Sequence, residues 1–430
     1  MAHETTTPSS TKTDVSYRKY LPQPGNKKLT ELPNCNAHEW AAHRCSVEPF
    51  ISSWVAQWNE TLKQPYKGIT IDGNVIPNLF SVAADGEDHG TRTAGMLSAA
   101  QELLSTATEA ERVALSYPLD SPQWRYWNNP ELYIFKSGVR LEESSRSLVT
   151  LIHNLLRATL SPSGYLKAAG CMKTNAFLGR LVHGEKVLNE ESFNFVIFGT
   201  PSLTEPWGWQ LYGHHLVLNV CVVETQIVFS PVFMGAEPNL IDEGVESNPI
   251  LFHAQEQQGL ALIQSLEPER QQEAVIYHQL HDPAMPEGRF HRADQRHLGG
   301  VAQDNRIIPY EGVLVSKLST AQQEEVLALL RLSLDMYPEA ALNSKMAEIR
   351  QHWQDTYFCW IGGISDTDAF YYKIHSPVIM VEFDHHSGVF LTNEKPEKFH
   401  IHTIVRTPNG GDYGKALIKQ WEASRAGGEA

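Results

Sequence analysis

The chain lacks most of the features that usually announce a function. It has five cysteines in 430 residues, an odd number at irregular spacing. That excludes a disulfide framework as the source of stability and points to a reducing compartment. No apolar run approaches the length of about 18 residues that a spanning helix needs, so no membrane segment is expected. Positive charge is scarce: 35 Lys and Arg stand against 50 Asp and Glu, for a net charge of −15. A surface of that sign repels phosphate backbones, and no basic stretch interleaves with aromatics, so nucleic acid is not an expected partner. No G-x-S-x-G elbow, P-loop or G-x-G-x-x-G fingerprint occurs, so the usual marks of serine-hydrolase, nucleotide, flavin and nicotinamide chemistry are missing. The polar N-terminus has no apolar core of a secretory signal, and a cytoplasmic location is the expectation.

What is present describes a large globular protein. With 42% hydrophobic and 20% charged residues the chain can bury a substantial core. Residues 1–30, rich in Thr, Ser, Pro and Lys, read as a flexible N-terminal arm, and 31–430 as a single large α+β domain. Its helical part covers about 36–190, with apolar residues at three- and four-residue spacing over 94–107, 109–117, 142–160 and 165–182. Ser161-Pro162-Ser163-Gly164 reads as the stop of the third of these. Further helices are expected over 253–265, 270–280, 320–335 and 413–424, the third opened by a capping box from Ser319 to Gln322.

The period changes to two in a central block, about 191–235, and again in a C-terminal block, about 355–406. Glu224 and Thr225 alone separate HHLVLNVCVV from QIVFSPVF, which is hairpin spacing. Strands joined by short connections predict a mainly antiparallel or mixed sheet, built from both blocks and packed on helices.

Alternation within the strands selects the chemistry. In FHIHTIVR, His400 and His402 share one face, roughly 7 Å apart, and could converge on one ion. In PVIMVEFDH, Glu382 shares a face with Met380 and Asp384, so a neighbouring strand would set its carboxylate beside those histidines. In GHHLVLNV, His215 falls with Val217 and Asn219 on the more polar face, while His214 falls with Leu216 and Leu218, a packing or supporting position. Two His and a carboxylate, or three His, with an open position, suit Zn²⁺, Fe or Cu chemistry.

Weaker patterns have competing readings. Cys35, His38, His43 and Cys45 lie within eleven residues but match no common zinc module, and a helix start with packed thiols explains them as well. The basic run at 288–300 reads as an anion site or a solvated loop. His385 and His386, at a strand end, are expected to face solvent, and Cys359 to be a packed thiol. Arg406 could grip a substrate carboxylate, or pair with Asp412.

The ordered motifs FGTPSLTEPWGWQLYGHHLVLN, FMGAEP, DNRIIPYEG, W-I-G-G, YYKIHSP, VEFD and HIHTIVRTPNGGDYG resemble the domain-of-unknown-function 3500 family over roughly residues 90–425. The resemblance implies one domain, with the GHH and H-x-H strands in one unit, and names no reaction. From the residues, the expected function is a metal-dependent enzyme acting on a small organic substrate. Its divalent metal (Zn, Fe or Cu) would be held by His400, His402 and either His215 or Glu382. The remaining carboxylate would serve as base, Trp207, Trp209, Tyr371, Tyr372 and Asn219 would form the substrate wall, and Arg406 would orient an anionic group. Hydrolysis, a non-haem iron or copper oxygenation, and metal-free ligand binding are the three outcomes that these residues allow.

Overall fold

The computed structural model describes residues 16–82, 93–244 and 250–426. Residues 1–15 of the expected arm lie outside these. Residues 16–30 are packed onto the body: Tyr17 is buried, edge-on to Phe177 and Phe399, and Leu29 is buried beside them.

Among the described residues the strands form a single mixed sheet of twelve. The central block supplies β1 (Ser116–Tyr117), β2 (Val139–Arg140), β3 (Phe193–Phe198), β4 (Trp207–Gly213), β5 (Leu216–Val223) and β6 (Gln226–Ala236). After β7 (Val275–Tyr277) and β8 (Val313–Leu314), the C-terminal block adds β9 (Tyr357–Gly362), β10 (Phe370–His375), β11 (Met380–His386) and β12 (Glu397–Arg406). The spatial order is β1-β3-β4-β5-β6-β12-β11-β10-β9-β7, with β2 on β3 and β8 on β9. Only β1–β3 and β7–β9 pair in parallel. The two blocks join at β6–β12, where Ile401 faces Ala236 and His402 faces Gly235 across the ladder.

Strand residues divide between two cores by parity. On β5, Leu216, Leu218, Val220 and Val222 enter the larger core, while Val217, Cys221 and Val223 enter a second core on the opposite face. Both faces are covered, which is why β5 carries apolar residues at both parities. Each such Leu or Val buried contributes about 1.5–3 kcal/mol.

The larger core is covered by α3 (Thr93–Thr106), α5 (Arg146–Thr159), α6 (Pro162–Val182), α7 (His253–Ser265), α9 (Thr320–Ser333) and α10 (Glu339–Gln351), with α4 (Glu109–Leu115) and α8 (Pro268–Ala274) leading into β1 and β7. The second core is covered by α2 (Pro49–Lys63), which follows α1 (Ala37–Val47), and by α11 (Lys415–Ala426). The helix expected over 142–160 begins only at Arg146, where the Ser145 side chain accepts the Leu148 N–H. Ser161-Pro162 is a start as well as a stop: Ser161 caps α6 and Pro162 fills its first turn, where a missing N–H costs nothing. The capping box at Ser319 and Gln322 is formed. The helices expected over 109–117 and 270–280 stop at Leu115 and Ala274, where the chain turns into β1 and β7. Strands β2, β4 and β8 and helix α10 carry no expectation from the sequence, β4 lying inside PWGWQLYG, which reads as a lead-in.

Candidate metal and substrate site

His214 and His215 are the two residues of the β4–β5 turn, since Gly213 pairs with Leu216 across it. His215 has φ 60°, a left-handed conformation that non-glycine residues adopt at a cost of about 1–2 kcal/mol. Its surroundings hold it there: its N–H donates to the Asn129 carbonyl (3.0 Å) and its carbonyl accepts from the Gly235 N–H (2.8 Å). The turn directs the ring onto the β12 face that carries His400 and His402.

The three Nε2 atoms form a nearly equilateral triangle: 3.1 Å from His215 to His402, 3.1 Å from His400 to His402 and 3.3 Å from His400 to His215. A tetrahedral ion with Zn–N bonds of about 2.0–2.1 Å holds its nitrogens about 3.3 Å apart, so the triangle has the dimensions of a three-histidine ligand set. Hydrogen bonds alone satisfy such a triangle poorly, because one ring N–H in its own plane can point at only one of the two neighbours. Gly235 makes the approach possible. A Cβ there would lie 2.7 Å from the Ile401 carbonyl oxygen and 3.1 Å from Cδ2 of both His215 and His402.

Two more histidines adjoin this triad. His386, at the end of β11 beyond a register shift, lies with its ring centroid 4.3 Å from that of His402 and 4.9 Å from that of His400. His297, from the 288–301 loop, lies 5.3 Å from His402 in the same measure. His297, His386 and His402 form a second group able to hold an ion. All five rings are buried, and desolvation drives each toward the neutral form that a metal ligand requires: His400 falls to about 3, and His215, His297, His386 and His402 are pushed well below the usual imidazole range.

A second layer positions the first. His214 stacks behind His215 with centroids 3.9 Å apart, its Nδ1 2.8 Å from Asn175 Oδ1; burial lowers it to about 3. Glu237 Oε1 lies 3.8 Å from His400 Nδ1, near it but beyond hydrogen-bond reach, and that nitrogen has no hydrogen-bond partner. That carboxylate accepts the N–H groups of Val389, Phe390 and Leu391, yet burial still raises it to about 7.

His214, His215, His297, His386 and His402 form the inner wall of a cavity of about 860 Å³, lined also by Asn129, Glu131, Trp54 and Asp294; His400 does not line it. Its mouth reaches solvent at Lys28, Val47 and Arg292, all exposed.

Of the residues singled out in the sequence, the structure brings His215, His400 and His402 together, with His214 behind them. The others go elsewhere. Glu382 is not beside the histidines: its carboxylate accepts the Leu298 and Gly299 N–H groups (2.8 Å each) and the Tyr371 hydroxyl (2.7 Å). Arg406 is buried between Asp304 (2.9 Å) and Asp412 (3.3 Å), so the ion-pair reading holds and no substrate can reach it. Trp207, Trp209 and Tyr372 are in the larger core, on the other side of the sheet from the cavity. Asn219 bonds Gln210 and the Pro231 carbonyl inside the sheet. None of Trp207, Trp209, Tyr371, Tyr372 and Asn219 lines the cavity.

The solvent-facing expectations for His385, His386 and the 288–300 run are also corrected. His385 and His386 are buried, and so are Asp294 to Val301, because Arg296 enters the protein to pair with Asp384 (2.6 Å). His386 was findable: parity on β11 places it with Glu382 and Asp384. His297 and Glu237 have no periodic signal, being set by loop geometry. Cys35, His38, His43 and Cys45 form no ion-holding group among the described residues; His38 bonds the Tyr133 carbonyl and His43 stacks on Trp40. Cys359 is a buried thiol in β9, pushed up to about 12.

The fold and site thus define an α+β protein with a buried polyhistidine centre at the base of a cavity. The chain belongs to the family described as Protein of unknown function (DUF3500), whose family model matches residues 89–415. Neither curated proteins nor solved structures offered a match. No helix among the described residues is long and apolar enough to cross a membrane.

Proposed function

We propose that this chain is a metal-dependent enzyme acting on a small organic substrate, with a divalent transition metal held by His215, His400 and His402. The observation that carries the reading is the triangle of three buried Nε2 atoms 3.1–3.3 Å apart, two of whose histidines, His215 and His402, line a cavity of about 860 Å³. A metal there supplies Lewis acidity and lowers the pKa of a coordinated water toward neutrality, which suits hydrolysis. The protein's part is to keep the imidazoles neutral by burial, to hold His215 in place through the β4–β5 turn, and to admit substrate past Phe50 and Trp54. A second reading, copper or non-haem iron oxygenation, is favoured by the all-imidazole donor set, which suits Cu and Fe as well as Zn.

Metal analysis of the purified protein tests the proposal. Stoichiometric transition metal is expected in wild type, falling at least tenfold in His400→Ala. A wild type that takes up no metal from Zn²⁺, Fe²⁺ or Cu²⁺ would refute it. Electron paramagnetic resonance then separates the two reactions, because zinc is silent and Cu(II) is not.

A further inference from the structure

The two ion-holding groups share one residue. His215, His400 and His402 converge through Nε2, while His297, His386 and His402 form the second group, their ligand atoms within 4.8 Å of one another. The rings of the second group are unsatisfied in a way that buried polar atoms rarely are. Both nitrogens of His297, Nε2 of His386 and Nδ1 of His402 are buried with no hydrogen-bond partner. Leaving a buried polar atom unpaired costs about 1–3 kcal/mol, and here four such atoms gather at one wall of the cavity.

The neighbourhood is arranged to keep them there. His386 is fixed through its other nitrogen, Nδ1, which lies 3.1 Å from the Ser387 carbonyl, so Nε2 is the atom left to bind. His297 is held by a loop pinned to β11 at two points. Glu382 accepts the N–H groups of the next two residues, Leu298 and Gly299, and Arg296 on the other side pairs with Asp384. Buried carboxylates are thus committed to placing an imidazole that itself makes no hydrogen bond. Asp294 Oδ1 lies 3.8 Å from His297 Nε2, close enough to favour positive charge in the space between.

We infer that the protein holds two divalent cations, the second bound by His297 and His386 and sharing His402 with the first. His402 serves both as an imidazolate: Nε2 faces the first triad, Nδ1 is uncommitted to any protein group, and the proton that the neutral ring carries passes to solvent as the second cation binds. A pair of cations side by side at a cavity wall can hold a bidentate oxyanion or polarise two oxygens of one substrate, so the substrate class is an oxygen-rich small molecule rather than a hydrocarbon. The inference rests on the first metal site proposed above.

The test counts ions. Metal-stripped full-length protein is dialysed against Zn²⁺ and the bound metal measured for wild type, His297→Ala, His386→Ala and His400→Ala. Two equivalents are expected in wild type, and one in each of His297→Ala and His386→Ala, which lie on different elements. Thermal unfolding of each metal-free variant confirms that it is folded before its count is used. One equivalent in wild type overturns the inference and leaves the first site standing, since the two groups would then be alternative seats for one ion. Two equivalents retained in both His297→Ala and His386→Ala also overturn it, by placing the second ion elsewhere. No bound zinc in wild type removes the first site and the second together.

Discussion

At the scale of single residues, the site depends on one atom's worth of space. Gly235 is the cross-ladder partner of His402 and lies against both His215 and His402, so any side chain there must displace backbone or rings. Gly235→Ala should lower zinc affinity at least tenfold in chelator competition, with a smaller effect on stability, because the Ile401 carbonyl blocks the methyl's escape and the rings must move. An unchanged affinity would mean that the triangle is looser than 3.1–3.3 Å distances imply. Arg406 makes the opposite case. Its guanidinium, fully buried between Asp304 and Asp412, is a structural charge, and Arg406→Ala leaves Asp412 without its cation while Asp304 keeps Arg125 (2.7 Å). A loss of about 3–5 kcal/mol in denaturant unfolding is expected. A variant of wild-type stability would show that the buried charge is not structural.

At the scale of elements, the site is assembled by three connections and one join. The β4–β5 turn brings His215, the end of β11 brings His386, the 288–301 loop brings His297, and the β6–β12 pairing sets the two strand blocks side by side. Glu382 belongs to this scale. It acts as the peg that fastens the loop to β11, and Glu382→Ala leaves two buried N–H groups unpaired. Faster amide exchange at Leu298 and Gly299 is the expected readout, with the second cation lost while the first is kept; unchanged exchange would show that Arg296 and Asp384 suffice. Parity explains what was legible in the sequence. His215 sits in the β4–β5 turn at φ 60°, outside any strand parity, but a period of two places His400 with His402, and that assignment needs only local geometry. It does not say which sheet face is which. Trp207, Trp209 and Tyr372 therefore looked like a substrate wall although their face packs on helices. Contacts made by loops, such as Glu237 beside His400 or Arg296 on Asp384, depend on long-range folding that no periodicity encodes.

At the scale of the whole molecule, burying so many neutral imidazoles ties stability to pH. His214 and His400 are lowered to about 3, and His215, His297, His386 and His402 lie well below the usual range, all chiefly by desolvation. In the unfolded chain each titrates near 6.5, so below that pH the unfolded state binds protons that the folded state refuses. Their stabilisation is fully present above about pH 6.5 and is lost as the pH falls through that value, by about 1.4 kcal/mol per histidine per pH unit. Four buried carboxyls act in the other direction: Glu237 and Asp294 are raised to about 7, Asp384 to about 6, and Asp412 is raised by its burial, so they stabilise the fold as the pH falls toward 4. His375 and His385, buried and lowered as well, bring the histidines to eight against four carboxyls, and the net effect is acid instability. The metal-free protein should therefore lose Tm steadily between pH 7 and pH 5. Zinc should raise Tm at pH 7 and do so less and less on acidification, since protons compete for the same nitrogens. Thermal melts across this range, with and without zinc, decide the matter. A metal-free Tm that holds or rises toward pH 5 would show that the histidines take up protons in the folded state, and so that the cluster is wetter than its burial implies.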